Sequence, residues 1–389
     1  MSVPAASNSS PSILLVTNDF GPRAGGIETF VIGLLERTPR GSVVVFTSSQ
    51  PDSESYDRRW REEFGVDVIR DKSRILLPTP RVTRAAMKII RERSITKVWF
   101  GAAAPLALMS RALRKAGAQR IVALTHGHEV WWSKVPPFTL LMREIGRSID
   151  IATYLGEYTR NALKRCIPEE KLHHIAPGID VTHFIQRDAQ DLKEQLGLTE
   201  RLIIISVGRL VHRKGQDRLI EAMPAIREKV PNAHLIFVGE GPYREKLTQI
   251  TSQLNLEPHI SFIGRINYAD LPRYISMGDI FAMPSRDRLF GLEVEGLGIV
   301  YLEASACSLP VIAGNSGGAP DAVINGETGF VVDGEDVAEI ASRVIELLTN
   351  PELRTAMGRR GREFAEAQWR WEIWSERFAS LFDDTSLRK

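Results

Sequence analysis

From Ser12 the chain alternates short apolar runs with longer segments whose apolar positions recur every three or four residues. The first half offers SILLVTNDF, SVVVFT, VDVIR, KVWF, RIVALT and DIATYL, and the second RLIIISVG, HLIFVG, ISFIG, DIFAMPS, PVIAG and GFVV. Unbroken apolar runs that end in polar residues or glycine are the mark of strands buried in a parallel sheet. Helical periodicity predicts helices near 81–93, 105–117, 137–148, 157–166 and 351–368. Such alternation of β and α units predicts doubly wound parallel sheets, whose ligands bind beyond the C-terminal ends of the strands. The pattern breaks at IAPGIDVTHFIQRD, where Pro177-Gly178 is a turn signal, and restarts at RLIIISVGRL. The expected organisation is a flexible tail over 1–10, one α/β domain over 11–180 and a second over 181–368, with the linker near 177–200. A last segment, 369–389, carries Trp369, Trp371, Trp374, Phe378, Leu381 and Phe382 and needs a large apolar surface to cover it. The second sheet is flanked by its own helices, so this segment is expected to cross back to the first domain.

Composition is that of a globular protein, 43% hydrophobic and 25% charged over 389 residues, which is too long for one ordinary core. No run of about eighteen apolar residues predicts a membrane span, and the small polar start, MSVPAASNSS, predicts no signal peptide. Two cysteines, Cys166 and Cys307, fit reduced buried thiols in a cytosolic enzyme. Charge is unevenly divided. Residues 1–180 hold 26 Lys and Arg against 18 Asp and Glu, and residues 181–389 hold 24 against 30. The basic half suits an anionic partner, and a solvated basic surface explains it equally well. Within it, Arg81, Arg84, Lys88 and Arg91 form one stripe on a predicted helix whose other side carries Ala85, Met87, Ile89 and Ile90. With Trp131 and Trp132, placed in a loop HEVWWSKVPP, this stripe suits adsorption to an anionic membrane; a helix that merely covers its sheet would show the same pattern.

The strand-end rule picks out the candidate chemistry. Asn18 and Asp19 follow the first strand, Gly25-Gly26 opens the next helix, and His126 to Glu129 follow RIVALT. In the second half, Arg209 leaves a strand and Lys214-Gly215 opens a helix; a forked guanidinium and an ammonium at one sheet edge suit a pyrophosphate. Gly239 and Gly241, then Gly264 and Arg265, mark two further strand ends that could offer a backbone edge to a nucleobase, without selecting guanine over uracil. The densest stretch runs from Pro284 to Gly314. Glu295 and Glu303 lie eight residues apart, with Gly296 and Gly298 between them, and the amides of Leu297, Gly298 and Ile299 point out of a predicted helix N-terminus. No Asp-x-Asp triplet, of the kind that holds a divalent ion in metal-dependent sugar transferases, occurs in the sequence.

GRLVHRKG, SRDRLFGLEVEGLGIVYLEASACSLPVIAG and SGGAPDAV together resemble the donor-side motifs of retaining glycosyltransferases of family 4. Within that family the chain looks similar to the PimB-type phosphatidylinositol mannoside mannosyltransferases. The resemblance implies the GT-B fold, two facing Rossmann-like domains with a cleft between, and a mannosyl transfer from GDP-mannose that needs no metal cofactor. By the same resemblance Arg209 and Lys214 neutralise the donor diphosphate and Glu303 holds the ribose hydroxyls. Glu295 and the amides of Gly296, Leu297, Gly298 and Ile299 orient the sugar; Gly25 and Gly26 close over the phosphates; His126 contacts the transferred sugar or the acceptor side, and Asn18 the acceptor. Gly239 and Arg265 belong to the donor pocket. The implied catalytic groups are His126, Arg209, Lys214 and Glu295. The implied acceptor is an anionic phosphoinositide glycolipid on the inner face of the plasma membrane, met by a cytoplasmic, peripheral enzyme with no nucleic-acid partner. Another nucleotide-sugar donor or a soluble acceptor fits the same motifs, and a donor-binding protein without turnover or an epimerase of related fold stands further off. The family's usual Glu-Gly-Phe-Gly reads Glu295-Gly296-Leu297-Gly298 here and keeps both glycines.

Overall fold

The structure, a computed structural model, describes residues 11–22, 25–289 and 291–383, so the expected tail over 1–10 lies outside the described residues. The chain divides into two compact units, 1–178 with 371–389 and 179–370, against expected breaks at 180 and 368. The first unit runs β1 (Ile13–Thr17), α1 (Gly26–Leu35), β2 (Val43–Ser48), α2 (Ser53–Phe64), β3 (Asp67–Asp71), α3 (Pro80–Glu92), β4 (Lys97–Phe100), α4 (Ser110–Ala116) and β5 (Arg120–Ala123). It continues with α5 (Glu129–Lys134), α6 (Phe138–Ser148), β6 (Ile151–Tyr154), α7 (Glu157–Leu163) and β7 (Leu172–His174). The second runs α8 (Gln190–Gln195), β8 (Leu202–Val207), α9 (Gln216–Lys229), β9 (Ala233–Val238), α10 (Arg244–Gln253), β10 (Ile260–Gly264), α11 (Leu271–Ile275) and β11 (Ile280–Met283). Then come α12 (Ile299–Ala306), β12 (Val311–Gly314), β13 (Gly329–Val332), α13 (Val337–Thr349) and α14 (Pro351–Gln368), and the chain returns to the first unit as α15 (Trp371–Ser380).

Both sheets are wholly parallel, with strand orders 3-2-1-4-5-6-7 and 10-9-8-11-12-13. Every side chain of β2, β9, β11 and β12 is buried, which is why those segments read as continuous apolar runs and not as alternating ones. Strand β7 escaped that reading because its three residues, Leu-His-His, carry no apolar run. Local chemistry sets several helix starts. Thr79 accepts from the Val82 amide with Pro80 opening α3, Asp336 caps two amides of α13, and Asn350 caps α14 ahead of Pro351.

The returning helix completes the face of the first sheet that α1 and α2 cover. Trp371, Phe378, Leu381 and Phe382 join Leu15, Phe30, Leu34, Trp60 and Trp99 in one buried cluster. Phe378 lies 4.7 Å from Trp99 and 5.2 Å from Phe382 between ring centroids. Gly33 leaves room for the Trp371 ring, which a Cβ there would meet at 2.3 Å. The buried Arg120 Nε donates to the Leu381 carbonyl at 2.8 Å. Trp369, grouped by sequence with this segment, stays in the second unit, where its carbonyl accepts from the Ile179 amide at 2.6 Å. Truncating Phe378 to Ala empties an aromatic site in this cluster and should cost about 3–5 kcal/mol. Urea unfolding followed by tryptophan fluorescence checks this, and a midpoint equal to the parent's would mean that α15 contributes nothing to the core.

Candidate active site

In the second sheet the strand order reverses between β8 and β11, so the loops that follow these two strands flank the switch point where open α/β sheets bind ligands. Their backbones touch. Gly215, at φ +71°, lies so close to the Pro284 carbonyl that a Cβ would stand 1.9 Å from its oxygen, and the Arg286 amide donates to the Arg213 carbonyl at 2.8 Å. This contact brings Lys214 beside Glu295: both side chains are buried, with Nζ 2.8 Å from Oε2. Arg213 Nε approaches the same oxygen at 3.8 Å. The Glu295 amide donates to Ser316 Oγ at 3.1 Å, and its carbonyl accepts from the Gly318 amide at 2.9 Å. A Cβ on Gly317 or Gly318 would meet the carbonyls of Glu295 and Gly296 at 2.1 and 2.2 Å, so the two glycines of SGGAPDAV are the condition for this docking.

Helix α12 starts at Gly298, whose φ of +74° and 2.3 Å clearance from the Tyr301 ring admit no side chain. The buried Tyr301 hydroxyl donates to the Met283 carbonyl at 2.8 Å and fixes the helix start against the end of β11. The amides of Leu297, Gly298 and Ile299 donate to no group among the described residues. They form a bundle of free donors at the positive end of a helix. Glu303, one turn into α12, has its carboxyl pushed up to about 7 by burial, with the Lys214 ammonium pulling the other way. Arg209, two residues past β8, is exposed; its carbonyl accepts from Gln216 Nε2 at 3.3 Å, while its guanidinium has no hydrogen-bond or ion-pair partner among the described residues. Arg265 stands likewise exposed after β10. Gly239 has a structural reason of its own: at φ +133° its Cβ would meet the Gly208 carbonyl at 2.1 Å, so its glycine says nothing about a ligand.

The first sheet reverses between β1 and β4. His126, after β5, reaches the end of β4: Nε2 donates to the Gly101 carbonyl at 2.5 Å, and the His126 amide donates to Glu129 Oε2 at 2.9 Å. Burial pushes the imidazole below its usual range, so the ring is neutral with its proton on Nε2 and Nδ1 left as an acceptor. Gly25 and Gly26 have ordinary backbone conformations or open space around them: a Cβ at Gly25 meets nothing closer than 4.0 Å and one at Gly26 nothing at all. Nothing in the described chain requires glycine there.

Three expectations are corrected. Asn18 binds its own chain, with Nδ2 donating to the Leu76 carbonyl and Oδ1 accepting from the Leu76 amide, so its amide holds the 72–79 loop. Arg81 leaves the basic stripe, because both terminal nitrogens chelate Asp71 at 2.7 and 2.8 Å and hold that carboxyl well below its usual range. Trp131 and Trp132 lie on α5, not in a loop, and pack half-buried on Phe138 at 4.4 and 5.0 Å. Arg84, Lys88 and Arg91 remain exposed on α3, Lys88 with only a 3.6 Å contact to Glu92.

Comparison with known proteins fixes the family. The profile described as glycosyl transferases group 1 matches residues 188–364, and that of glycosyltransferase family 4 matches 24–183. The GDP-mannose-dependent alpha-(1-6)-phosphatidylinositol monomannoside mannosyltransferase of Mycolicibacterium smegmatis is 45% identical over 95% of this chain and 97% of its own. The chain is a group 1 glycosyltransferase. A GDP-mannose-dependent mannosyltransferase of Corynebacterium glutamicum, specific by name for the monoacylated monomannoside, is 43% identical over 96% of this chain and 98% of its own. Among solved structures, Anabaena HepE in complex with UDP aligns at TM-score 0.80 and 20% identity over 95% of this chain and 98% of its own. Sucrose-phosphate synthase of Thermosynechococcus elongatus aligns at 0.76 and 22% over 96% and 98%. Both share the fold, GT-B, with its two parallel-sheet units.

Sequence reasoning missed the groups that hold this glycosyltransferase's site together: Arg286, Asp217, Ser316 and Tyr301. Ser316 Oγ donates to Asp287 at 2.7 Å while accepting from Glu295, and Arg286 Nη2 donates to Asp217 at 2.7 Å. An Asp in the first turn of a helix reads in sequence as a surface acid that favours the dipole, and nothing in the spacing brings residue 286 to it. The raised Glu303 gives a pH test. Its ordinary value is 4.5, so between pH 4.5 and 7 the unfolded chain ionises while the fold keeps the proton; this contribution to stability is full at low pH and lost as pH rises through 7. The melting temperature of the parent should therefore fall against that of Glu303→Gln between pH 5 and 8. Parallel pH profiles for the two proteins would assign Glu303 an ordinary ionisation.

Proposed function

We propose that this glycosyltransferase moves mannose from GDP-mannose, with retention at the anomeric carbon, onto a phosphatidylinositol mannoside-type glycolipid. The observation that carries the reading is whole-length similarity to enzymes of that name, joined to a Lys214–Glu295–Glu303 grouping at the switch point of the second sheet. Lys214, ion-paired with Glu295, brings an ammonium and Arg209 its whole fork; these meet the diphosphate. Glu303 takes the ribose hydroxyls, while Glu295 and the amides over 296–299 take the sugar hydroxyls. The strand ends at half-buried Gly239 and exposed Arg265 serve the base. Gly25 and Gly26, free of any structural need for glycine, admit close backbone approach to the phosphates. Neutral His126, with Nδ1 open, accepts from a hydroxyl of the sugar or acceptor.

In the transfer, the bond from the anomeric carbon to the β-phosphate oxygen breaks and the acceptor oxygen bonds to that carbon on the same face. The acceptor's proton passes to the departing phosphate. No side chain stands as a nucleophile in this reading, and no divalent cation is invoked: charge growing on the leaving group is met by fixed donors in place before reaction, each worth about 3–4 kcal/mol. Accumulation of a covalent glycosyl-enzyme would overturn this route.

The acceptor side rests on α3 and the loop before it. Arg84, Lys88 and Arg91 form a cationic face, and Ile75 and Leu77, 62% and 50% exposed, stand just ahead of it. Cations beside exposed aliphatic groups fit an anionic bilayer surface. No helix among the described residues is long and apolar enough to cross one. Lys214→Ala should lower kcat/KM for GDP-mannose by about a hundredfold or more. Steady-state assays on a monomannoside acceptor check this, and parental rates would remove Lys214 from the diphosphate site. Co-sedimentation with phosphatidylinositol vesicles tests the surface: Arg84→Ala/Lys88→Ala/Arg91→Ala should lose most of its binding. Undiminished binding would leave the stripe a mere helix surface.

A further inference from the structure

The loop after β11 carries a buried cation that the transfer chemistry does not use. Arg286 is 3% exposed, and its Nη1 finds no hydrogen-bond partner among the described residues. Its Nη2 donates to Asp217 Oδ2 at 2.7 Å and to a ring nitrogen of His212 at 2.9 Å, and its Nε lies 3.1 Å from Glu335 Oε1. Each partner belongs to a different part of the sheet edge. His212 precedes Lys214 in the β8–α9 connection, Asp217 follows it in the first turn of α9, and Glu335 stands between β13 and α13. The Asp217 carboxylate also accepts from the Tyr243 hydroxyl at 3.1 Å, which ties in the start of α10. Burial works against the charge on Asp217, yet the Arg286 hydrogen bond holds its carboxyl below the usual range. The same guanidinium and burial keep the His212 imidazole below its usual range, so that its ring accepts.

A buried ion pair is a poor source of net stability, because desolvation of both charges offsets their attraction. What it does supply is a fixed direction, since a planar fork satisfies several oxygens only in one orientation. Here the fork spans the loops that carry Lys214 on one side and Glu295 on the other. We propose that Arg286 is a positioning residue for donor binding: through Asp217, His212 and Glu335 it locks the loops after β8, β11 and β13 in register, so that Lys214 and Glu295 are preformed for the sugar diphosphate. This rests on the donor site proposed above, and it adds a residue that is too buried to touch the donor itself.

The test separates register from mere space filling. Arg286→Met/Asp217→Leu replaces the pair by apolar groups of similar volume, and Arg286→Lys keeps the charge but loses the fork. Melting temperature, donor KM and kcat are measured for each beside the parent. The expected result is a melting temperature near the parent's for the apolar pair, with donor KM raised about tenfold, kcat changed less than about threefold and acceptor KM unchanged. Arg286→Lys should raise donor KM by about threefold or more at parental stability. A folded variant of either kind with donor KM within twofold of the parent's overturns the proposal. Turnover of GDP-mannose by the parent tests the substrate reading separately. If the parent uses another nucleotide sugar, the same ratios are read with that donor, as dissociation constants from its protection against thermal unfolding.

Discussion

Gly215 and the Pro284 carbonyl meet with no room for a Cβ, and that backbone contact is what the candidate site of the second unit depends on. It makes neighbours of two loops that are about seventy residues apart in the chain, one ending in Lys214 and the other leading to Glu295. Once they are neighbours, an ammonium and a carboxylate are buried together at 2.8 Å, in a place where an unpaired charge would be costly. Glu303 has no ion pair among the described residues, and desolvation pushes its carboxyl up to about 7.

Glycines mark the same logic in reverse. Gly215, Gly298, Gly317 and Gly318 are there because the fold leaves no room, three of them also at positive φ. Gly215 closes the contact between the β8 and β11 connections, Gly317 and Gly318 that between the β11 and β12 connections, and Gly298 the turn into α12. Gly25 and Gly26 have no such reason within the described chain. Gly239 falls in the first group, which shows that a glycine at a strand end is by itself no sign of a site.

The sequence by itself determined the two parallel sheets, the assignment of twelve of the thirteen strands among the described residues, the pairing of carboxylates around Gly296 and Gly298, and the return of an aromatic C-terminal helix to the first core. Each of these follows from local facts: apolar runs, fixed spacing, and a surplus of large apolar groups needing cover. Tertiary structure alone decided which polar groups are spent on the fold. Asn18 turned inward to Leu76, Arg81 to Asp71, and Arg286 to Asp217, all through partners that sequence spacing does not bring together. A polar side chain looks the same in sequence whether its hydrogen bonds go to its own chain or to a ligand. Only burial and the distance to a partner tell the two apart, because a desolvated donor must find an acceptor and takes the one that the fold places within reach.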